Sequence, residues 1–396
     1  FTRTVGRVSL QQSTFYRLCA SQPNKWKVLF FGTDEVSLST LKAMYSLPNL
    51  VSDISVVCAP DHRKPCEVKK FAQHKDISVY QPTKEDLKTF QIPKTKNGED
   101  FDIAVVVSYG NMIPKHIIST LPFKSLNMHP SFLPFYRGPA PLIRQLENGE
   151  RVGGISIIEL STEKFDIGRT FLQWAFKIPD DITSPVFTEY ASHHGAHAII
   201  EVLENYGKYL KKISPQKEPD QPIFVEKRIP AIKNEYKLIL NASTESKLPT
   251  FEEGTTISPT DLLAANFRPT YARAVGPNDG NIEWEKCTAI QVYNKWRAFC
   301  KKPGLFTFMN FPPGSNNVKR VKILELLRPE YGSTSLGEVT PGEVSFSKGD
   351  PYLKIQTSKY GDPVLCTRIQ VEGKSVMDGK TFYNGYMGPA KLNKFV

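Results

Sequence analysis

The feature that most constrains the fold is a series of short apolar runs in the first half of the chain. The runs KVLFF at 27–31 and DIAVVVS at 102–108 are almost continuously hydrophobic, as central parallel strands are when both faces of the sheet are covered. Turn residues and a helical apolar pattern follow the first run, which indicates a strand-turn-helix opening. These runs predict an α/β domain with a mostly parallel sheet, whose ligands should bind beyond the carboxyl ends of the strands.

Similar patterns extend this domain toward the middle of the chain. Four further strands are predicted at 54–60, 125–129, 153–160 and 171–178. A long helix is predicted from Pro185 to about Lys212, where prolines and charged residues end it. The stretch 213–266 is rich in Pro, Thr, Ser and Lys, and we interpret it as a linker.

The pattern changes again near residue 267. One helix is predicted at 287–299. Five short strands separated by Gly, Pro and Asn follow it, near 305–309, 318–326, 342–347, 352–357 and 364–371. Such strands fit a small antiparallel β-barrel, and an OB-like fold is the leading interpretation. The predicted organisation is a presequence-like basic segment 1–25, an α/β domain 26–212, the linker, and an OB-like domain 267–396.

Positive charge is concentrated outside the predicted α/β domain. The 396 residues contain 51 Lys and Arg against 40 Asp and Glu, a formal net charge of +11. Residues 267–396 contain 19 basic against 11 acidic side chains, and residues 1–33 contain five basic and no acidic ones. A small basic β-domain beside a nearly neutral α/β domain predicts a nucleic-acid partner. The alternative is that the protein is basic without having a nucleic-acid partner, as many proteins are.

Composition also predicts a compartment and argues against two classes of protein. The N-terminal segment is basic, rich in Ser, Thr and Gln, and free of acidic residues, which favours a mitochondrial presequence and location in the matrix; the alternative is a frayed basic terminus. No window approaches about 20 uninterrupted apolar residues, so no membrane span is predicted. The six cysteines form no C-x-x-C pair, and neither a disulfide framework nor a metal site is expected.

The chemistry-bearing segment of the α/β domain is SLNMHPSFLPFYRGPAP at 125–141. Asn127 and His129 alternate along one strand, so their side chains project to the same side of the sheet. Asp166, in the segment KFDIGRTF, lies between two predicted strands. An amide, an imidazole and a carboxylate suit acyl transfer to an amine, in which the amine is the nucleophile and an oxyanion develops. The alternative is that these residues only shape turns.

Several segments, taken in order, resemble the folate-dependent formyltransferases. They are KVLFFGTDEVS, VVVSYGNMIP, SLNMHPSFLPFYRGPAPLIR and FDIGRTF. The resemblance extends from about Lys27 to Lys212 and continues more weakly near the C-terminus. It implies a Rossmann-like catalytic domain that binds 10-formyltetrahydrofolate and transfers its formyl group to the α-amino group of methionyl initiator tRNA, which the C-terminal domain holds. No obligatory protein partner is indicated.

The resemblance also implies site residues by motif. Asn127, His129 and Asp166 are then the catalytic residues. Those that would contact the folate are Ser131, Phe132, Leu133, Pro134, Ser108, Tyr109 and Gly110. Those that would contact tRNA are Arg63, Lys64, Lys69, Lys70 and Arg137. The segment DHRKPCEVKK at 61–70 is short for the basic loop that reaches the acceptor stem in bacterial relatives, so a solvated loop is an equal alternative.

Other functions are compatible with parts of the sequence. A formyltransferase or hydrolase acting on a small amine, a sugar nucleotide or water would use the same three residues, but it leaves the basic C-terminal domain unexplained. An inactive RNA-binding relative is disfavoured by the intact Asn127, His129 and Asp166. A dinucleotide-dependent dehydrogenase is disfavoured because FFGTDEVS lacks the G-x-G-x-x-G pattern.

Overall fold

A computed structural model describes residues 22–216, 271–311, 315–329, 339–358, 361–387 and 394–395. Most of the predicted presequence-like segment and of the predicted linker lies outside these residues. The chain divides into two compact units that interleave along the sequence. The second unit contains 140–151 and 178–187 in addition to Ala272–Val396, and the first contains the remainder. The predicted boundaries 26–212 and 267–396 stay predictions.

The first unit contains a seven-stranded sheet in the order β3-β2-β1-β4-β5-β6-β7. The strands are β1 (Trp26–Gly32), β2 (Val51–Val57), β3 (Ser78–Tyr80), β4 (Ile103–Val107), β5 (Ser125–His129), β6 (Val152–Ile158) and β7 (Thr170–Lys177). The first five pair in parallel, whereas β5–β6 and β6–β7 are antiparallel. The predicted mostly parallel α/β sheet is therefore confirmed. Every residue of β4 and β5 is buried, which explains the continuous hydrophobicity of β4.

The helices of the chain begin with α1 (Glu35–Tyr45), α2 (Glu67–His74) and α3 (Lys115–Thr120). They continue with α4 (Pro141–Glu147), α5 (Ser184–Glu204), α6 (Tyr206–Leu210), α7 (Ala289–Phe299) and α8 (Gly379–Phe382). A 3₁₀ turn lies at Asp86–Lys88 and a π turn at Tyr383–Met387. None of the helices in the described ranges is long and apolar enough to cross a membrane.

The structure corrects two details of the sequence prediction in this unit. The single helix predicted from Pro185 to Lys212 is two helices, α5 and α6, because the backbone of Asn205 between them, with φ −121° and ψ 29°, leaves the helical region. The second strand is Val51–Val57 instead of 54–60, since Pro60 cannot donate to a ladder and β2 already pairs with β1 from Val51.

The second unit contains an antiparallel sheet in the order β10-β11-β12-β9-β8, with β13 paired to β12. Its strands are β8 (Leu305–Asn310), β9 (Val318–Leu327), β10 (Val344–Ser345), β11 (Leu353–Ile355), β12 (Val364–Val371) and β13 (Met377–Asp378). Helix α7 begins with a capping box in which Thr288 and Gln291 satisfy each other's backbone amides. The predicted small antiparallel β-domain is confirmed, with one more strand than the five predicted.

Candidate active site

The candidate site lies at the carboxyl end of β5, between β4 and β6. Asn127 pairs across the sheet with Val106 of β4 and Ile158 of β6. It and His129 are 8% and 5% exposed and, two residues apart on one strand, they face the same side of the sheet. The side-chain amide of Asn127 makes no hydrogen bond to any residue that the structure describes. That amide is therefore left for a ligand.

The orientation of the His129 ring is fixed by a backbone carbonyl. His129 Nε2 lies 2.9 Å from the Tyr136 carbonyl oxygen. Because a carbonyl can only accept, Nε2 must carry the hydrogen of this bond. The other ring nitrogen, Nδ1, lies 3.5 Å from Asp166 Oδ1. Proton exchange at this histidine is thus directed to Nδ1, on the side of the carboxylate.

Asp166 is held by the same proline-rich loop that orients His129. Its Oδ2 accepts the Gly138 backbone N–H at 2.9 Å, while its side chain is 11% exposed. The backbone of Asp166 has φ 58°, in the left-handed region, which costs a residue other than glycine about 1–2 kcal/mol. Strain of this kind persists only where the surroundings enforce it. The loop and the Asp166 turn together bring the predicted imidazole and carboxylate into contact.

Internal hydrogen bonds make the loop after β5 a rigid wall of the site. Ser131 Oγ donates to the Phe135 carbonyl at 2.7 Å. Ser156 Oγ of β6 donates to the Ser131 carbonyl at 2.7 Å and accepts the Leu133 N–H at 3.1 Å. Gln173 of β7 donates to the Leu133 carbonyl at 2.8 Å. These polar side chains inside otherwise apolar strands were the signal that sequence reasoning missed.

The predicted folate-contacting residues fall into two groups. Ser131, Phe132, Leu133 and Pro134 are all buried, and the Ser131 hydroxyl is used within the loop, so their contact with folate stays a prediction. The second group follows β4, whose end lies beside the end of β1 because the two strands are parallel neighbours.

The turn after β4 brings the second group of predicted residues to the same edge of the sheet. Ser108 and Gly110 both have positive φ, 46° and 83°, and Ser108 Oγ donates to the Asp34 carboxylate that caps α1. Tyr109 packs edge-on against Phe31 with ring centroids 5.3 Å apart. Burial raises the pKa of Tyr109 to about 12. This effect of burial outweighs the hydrogen bond with the Asn111 side chain, which acts in the opposite direction.

The predicted tRNA-contacting residues differ in their surroundings. Arg63 and Lys64 are exposed. Lys69 is hydrogen-bonded to Asp61 and, at 2.6 Å, to Gln81. Lys70 forms an exposed ion pair with Glu67 at 2.6 Å, and Arg137 Nε donates to Gln216 at 3.1 Å. The structure describes no ligand here, so a role in tRNA binding stays a prediction for all five residues.

Among the described residues, no group of three or more His, Cys, Asp or Glu side chains is placed to hold a metal ion.

A parallel-sheet edge with an amide donor, an oriented imidazole and a strained carboxylate is the arrangement of a group-transfer enzyme. Residues 27–203 match the family described as "Formyl transferase", and residues 275–387 match "Formyl transferase, C-terminal domain". The chain therefore belongs to the formyltransferase family, and it is an enzyme of one-carbon transfer.

Several curated proteins are similar to this chain over most of its length. The chain is 33% identical over 375 residues to "Methionyl-tRNA formyltransferase, mitochondrial" of Mus musculus, covering 91% of this chain and 78% of that protein. It is 27% identical over 377 residues to the Bos taurus protein of the same name, covering 92% and 78%. The methionyl-tRNA formyltransferase of Caldicellulosiruptor saccharolyticus is 27% identical, covering 91% and 96%.

Solved structures at lower identity share the fold. An N-formyltransferase from Helicobacter canadensis, solved with folinic acid and dTDP-3-aminofucose, has a TM-score of 0.50 at 15% identity and covers 86% of this chain and 98% of that one. HypX from Aquifex aeolicus, solved with tetrahydrofolic acid, has a TM-score of 0.50 at 16% identity and covers 92% of this chain. The chain spans about half the length of HypX.

Gly168→Ala tests how closely the Asp166 turn is packed. A Cβ at Gly168 would lie 1.6 Å from the Glu159 carbonyl oxygen, a backbone atom that cannot rotate away. We expect a loss of at least about 2–3 kcal/mol in the free energy of unfolding, together with reduced formyl transfer, because Asp166 is two residues away. Denaturant unfolding and steady-state kinetics measure the two effects.

Gly207→Ala is the matched control for this substitution. No atom lies within 4 Å of a Cβ placed there, and the residue is in α6, so this change should be neutral or slightly stabilising. Equal effects of the two substitutions would show that the packing of the Asp166 turn is unimportant.

Proposed function

We propose that this enzyme transfers the formyl group of 10-formyltetrahydrofolate to the α-amino group of methionyl initiator tRNA, in the mitochondrial matrix. The observation that carries the proposal is the convergence of Asn127, His129 and Asp166 at the end of β5, with His129 Nδ1 and Asp166 Oδ1 3.5 Å apart. Relatives named methionyl-tRNA formyltransferase, aligned over more than 90% of the chain, support the acceptor. Four of them carry the word mitochondrial, from Bos taurus, Homo sapiens, Mus musculus and Rattus norvegicus.

The geometry supports a distinct role for each of the three residues. The amine nucleophile comes from the acceptor, so no Ser or Cys is needed. As the amine attacks the formyl carbon, the formyl oxygen gains negative charge, and the Asn127 amide is the donor available to it. The attacking nitrogen must lose a proton, and the departing folate nitrogen must gain one. His129 Nδ1 and Asp166 together provide the acceptor and donor for that transfer.

The folate donor fits the polar groups at the sheet edge. Tyr109 follows β4 and Asn127 lies in the neighbouring strand β5, so a hydroxyl and an amide lie at adjacent strand ends, where ligands of parallel sheets bind. We assign Ser108, Tyr109 and Gly110, together with the loop 131–134, to the folate-binding side of the site. Folate-bound structures of the same fold support this assignment.

The tRNA acceptor is supported by the charge of the C-terminal residues. Residues 267–396 carry eight more basic than acidic side chains, and binding to phosphates through such residues weakens as salt concentration rises. We assign them to holding the tRNA body, and Arg63, Lys64, Lys69, Lys70 and Arg137 to its acceptor end. The exposed ion pair of Lys70 is compatible with a contact to tRNA, because exposed ion pairs contribute little to the stability of the fold and are easily exchanged.

The test of the proposal is a comparison of acceptors. The purified full chain is mixed with 10-formyltetrahydrofolate and, in separate reactions, methionyl initiator tRNA, methionyl elongator tRNA, free methionine or dTDP-3-aminofucose. We expect kcat/KM for the initiator to exceed that for free methionine by roughly 10²-fold or more, because contacts to the remote tRNA body stabilise the transition state. The KM for tRNA should rise with salt.

Two results would contradict the proposal. Preference for the aminosugar nucleotide, or for water as acceptor, would favour the alternative of a formyltransferase or hydrolase with a small substrate. Equal rates with initiator and elongator tRNA would refute the initiator assignment and leave formyl transfer to aminoacyl-tRNA intact. Location is tested separately, by imaging the full-length protein with a C-terminal tag.

A further inference from the structure

The turn that carries Asp166 needs support from outside itself. Asp166 has φ 58°, a left-handed conformation that is uncommon for residues other than glycine and that Asp and Asn adopt more readily than most. The Gly138 N–H fixes the Asp166 carboxylate but makes no contact with the carbonyl groups of the turn. These carbonyl groups are held from the other side, by a residue that follows α6 in the chain.

That residue is Gln216, whose side-chain amide is fully used. Its Nε2 donates to the Asp166 carbonyl at 2.8 Å and to the Gly168 carbonyl at 3.0 Å. Its Oε1 accepts from Arg137, with Nε at 3.1 Å and Nη2 closer. A primary amide has two N–H donors and one carbonyl acceptor, and here each of them is engaged.

These contacts close a ring around the catalytic carboxylate. Arg137 binds Gln216 through its side chain and is followed in the chain by Gly138, whose N–H donates to Asp166 Oδ2. Gln216 returns to the Asp166 carbonyl. The carboxylate is thus held through its side chain by the loop after β5 and through its backbone by Gln216. The ring leaves Asp166 Oδ1 directed at His129 Nδ1.

We propose that Gln216 is a positioning residue, which sets the approach of the Asp166 carboxylate to His129 by holding the Asp166 and Gly168 carbonyl groups. It touches no reacting atom, so it acts on catalysis through Asp166. The functional consequence rests on the proposed formyl transfer, whereas the positioning itself is measurable without turnover.

Two substitutions separate the donors of Gln216 from its acceptor. Gln216→Leu removes all its hydrogen bonds. Gln216→Glu keeps an acceptor for Arg137 but places a carboxylate oxygen against two carbonyl oxygens. Both should lower kcat by about 10- to 100-fold, since a displacement of about 1 Å at a catalytic group has effects of this size. The KM for 10-formyltetrahydrofolate should change little, because Gln216 is not among the residues assigned to the folate. The KM for tRNA is not diagnostic, because Gln216 also holds Arg137, which is assigned to the acceptor end.

Gln22→Leu is the matched control for lost amide bonds. Gln22 Nε2 also donates to two backbone carbonyls, those of Leu203 and Glu204, at 3.0 and 3.2 Å, but it lies away from Asp166. This variant should lose stability without losing kcat. A double-mutant cycle is a second test. In the Asp166→Asn background, Gln216→Leu should lower kcat almost no further, because Gln216 acts on catalysis through the Asp166 carboxylate.

The activity-independent measurement is the ¹⁵N spectrum of the histidine rings, with the His129 signal identified by its loss in His129→Ala. We expect the His129 ring nitrogen shifts to change in Gln216→Leu and Gln216→Glu, and to stay unchanged in Gln22→Leu. Unchanged His129 signals with kcat within twofold of the wild type would overturn the proposal. If the wild type fails to formylate tRNA, the proposed function falls, and the ring spectra still decide the role of Gln216.

Discussion

Asp166→Asn is expected to lower kcat for formyl transfer by about 10²- to 10⁴-fold, the range that general acid-base catalysis contributes. The asparagine can still accept the Gly138 N–H through its amide oxygen, as Asp166 Oδ2 does at 2.9 Å. Its NH₂ group would then face His129 Nδ1 and donate to it. The ring would be held with Nδ1 as an acceptor, and no carboxylate would remain to take part in proton transfer.

His129→Ala should have an effect of similar size, and the double variant should be little worse than either single one. The two groups act on one proton, so their losses do not add. Binding of 10-formyltetrahydrofolate and of tRNA, measured by equilibrium titration, should change little in all three variants. A multiplicative loss in the double variant would show that the two residues act independently.

The chain contains matched controls for both substitutions. Asp76 also has a left-handed backbone, with φ 54°, but it pairs with Lys96 on the surface. Asp76→Asn is therefore the same substitution in the same backbone conformation, outside the active site. His116 Nε2 lies 3.1 Å from the Phe90 carbonyl, the same kind of partner that His129 has. If Asp76→Asn and His116→Ala keep activity near that of the wild type, the lower kcat of Asp166→Asn and His129→Ala is due to their place in the active site. A comparable loss in either control would remove the special role of the pair.

The sequence was sufficient to predict the two functional side chains that share a strand. A period of two residues places Asn127 and His129 on one side of β5, whatever the remainder of the fold does. The contact with Asp166 was suggested by the chemistry of the three groups and required the structure to measure it. The mostly parallel sheet followed from the continuous apolar runs of β1 and β4, because only strands covered on both faces tolerate them.

The groups that orient His129 and Asp166 had no signature in the sequence. His129 is oriented by the Tyr136 carbonyl and Asp166 by the Gly138 N–H, and backbone atoms are the same in every residue. Their directions depend on left-handed conformations such as that of Tyr136, with φ 58°. Gln216 contacts Asp166 across 50 positions of chain. Neither kind of contact can be read from local residue patterns.

A second long-range feature, in the second unit, is a buried charge cluster around Asp279. Its Oδ2 accepts from Arg144 and from the Gly276 N–H, the latter at 2.9 Å, and its Oδ1 accepts from Arg273 at 2.6 Å. Arg144 also donates to Glu147 at 2.6 Å. The side chains of Arg144 and Asp279 are 7% and 9% exposed. Without Asp279, Arg144 keeps its ion pair with Glu147, but the Gly276 N–H loses its acceptor, and several hydrogen bonds to a charged group are lost together.

Asp279→Ala should therefore lower the free energy of unfolding at neutral pH by about 1.5–3 kcal/mol, the contribution of a hydrogen bond to a charged group. Asp180→Ala is the control, because Asp180 pairs with Arg328 in the same unit at 45% and 43% side-chain exposure, where an ion pair contributes about 0–1 kcal/mol. Denaturant unfolding of both variants measures the difference. Equal losses would mean that burial does not distinguish the two pairs.

The acid side of the stability profile provides an independent test of the same cluster. Burial alone would raise the pKa of Asp279, but hydrogen bonds from Arg273, the Gly276 N–H and Arg144 outweigh it and hold the pKa well below the ordinary 3.8. A carboxyl group whose pKa is lower in the folded state stabilises the fold above its unfolded pKa of about 3.9, and this stabilisation is lost as pH falls toward the folded pKa. The difference in unfolding free energy between the wild type and Asp279→Ala should therefore be constant above about pH 5 and shrink below about pH 4. A difference that stays constant through this range would mean that the lost stability comes from packing and not from the charge of Asp279.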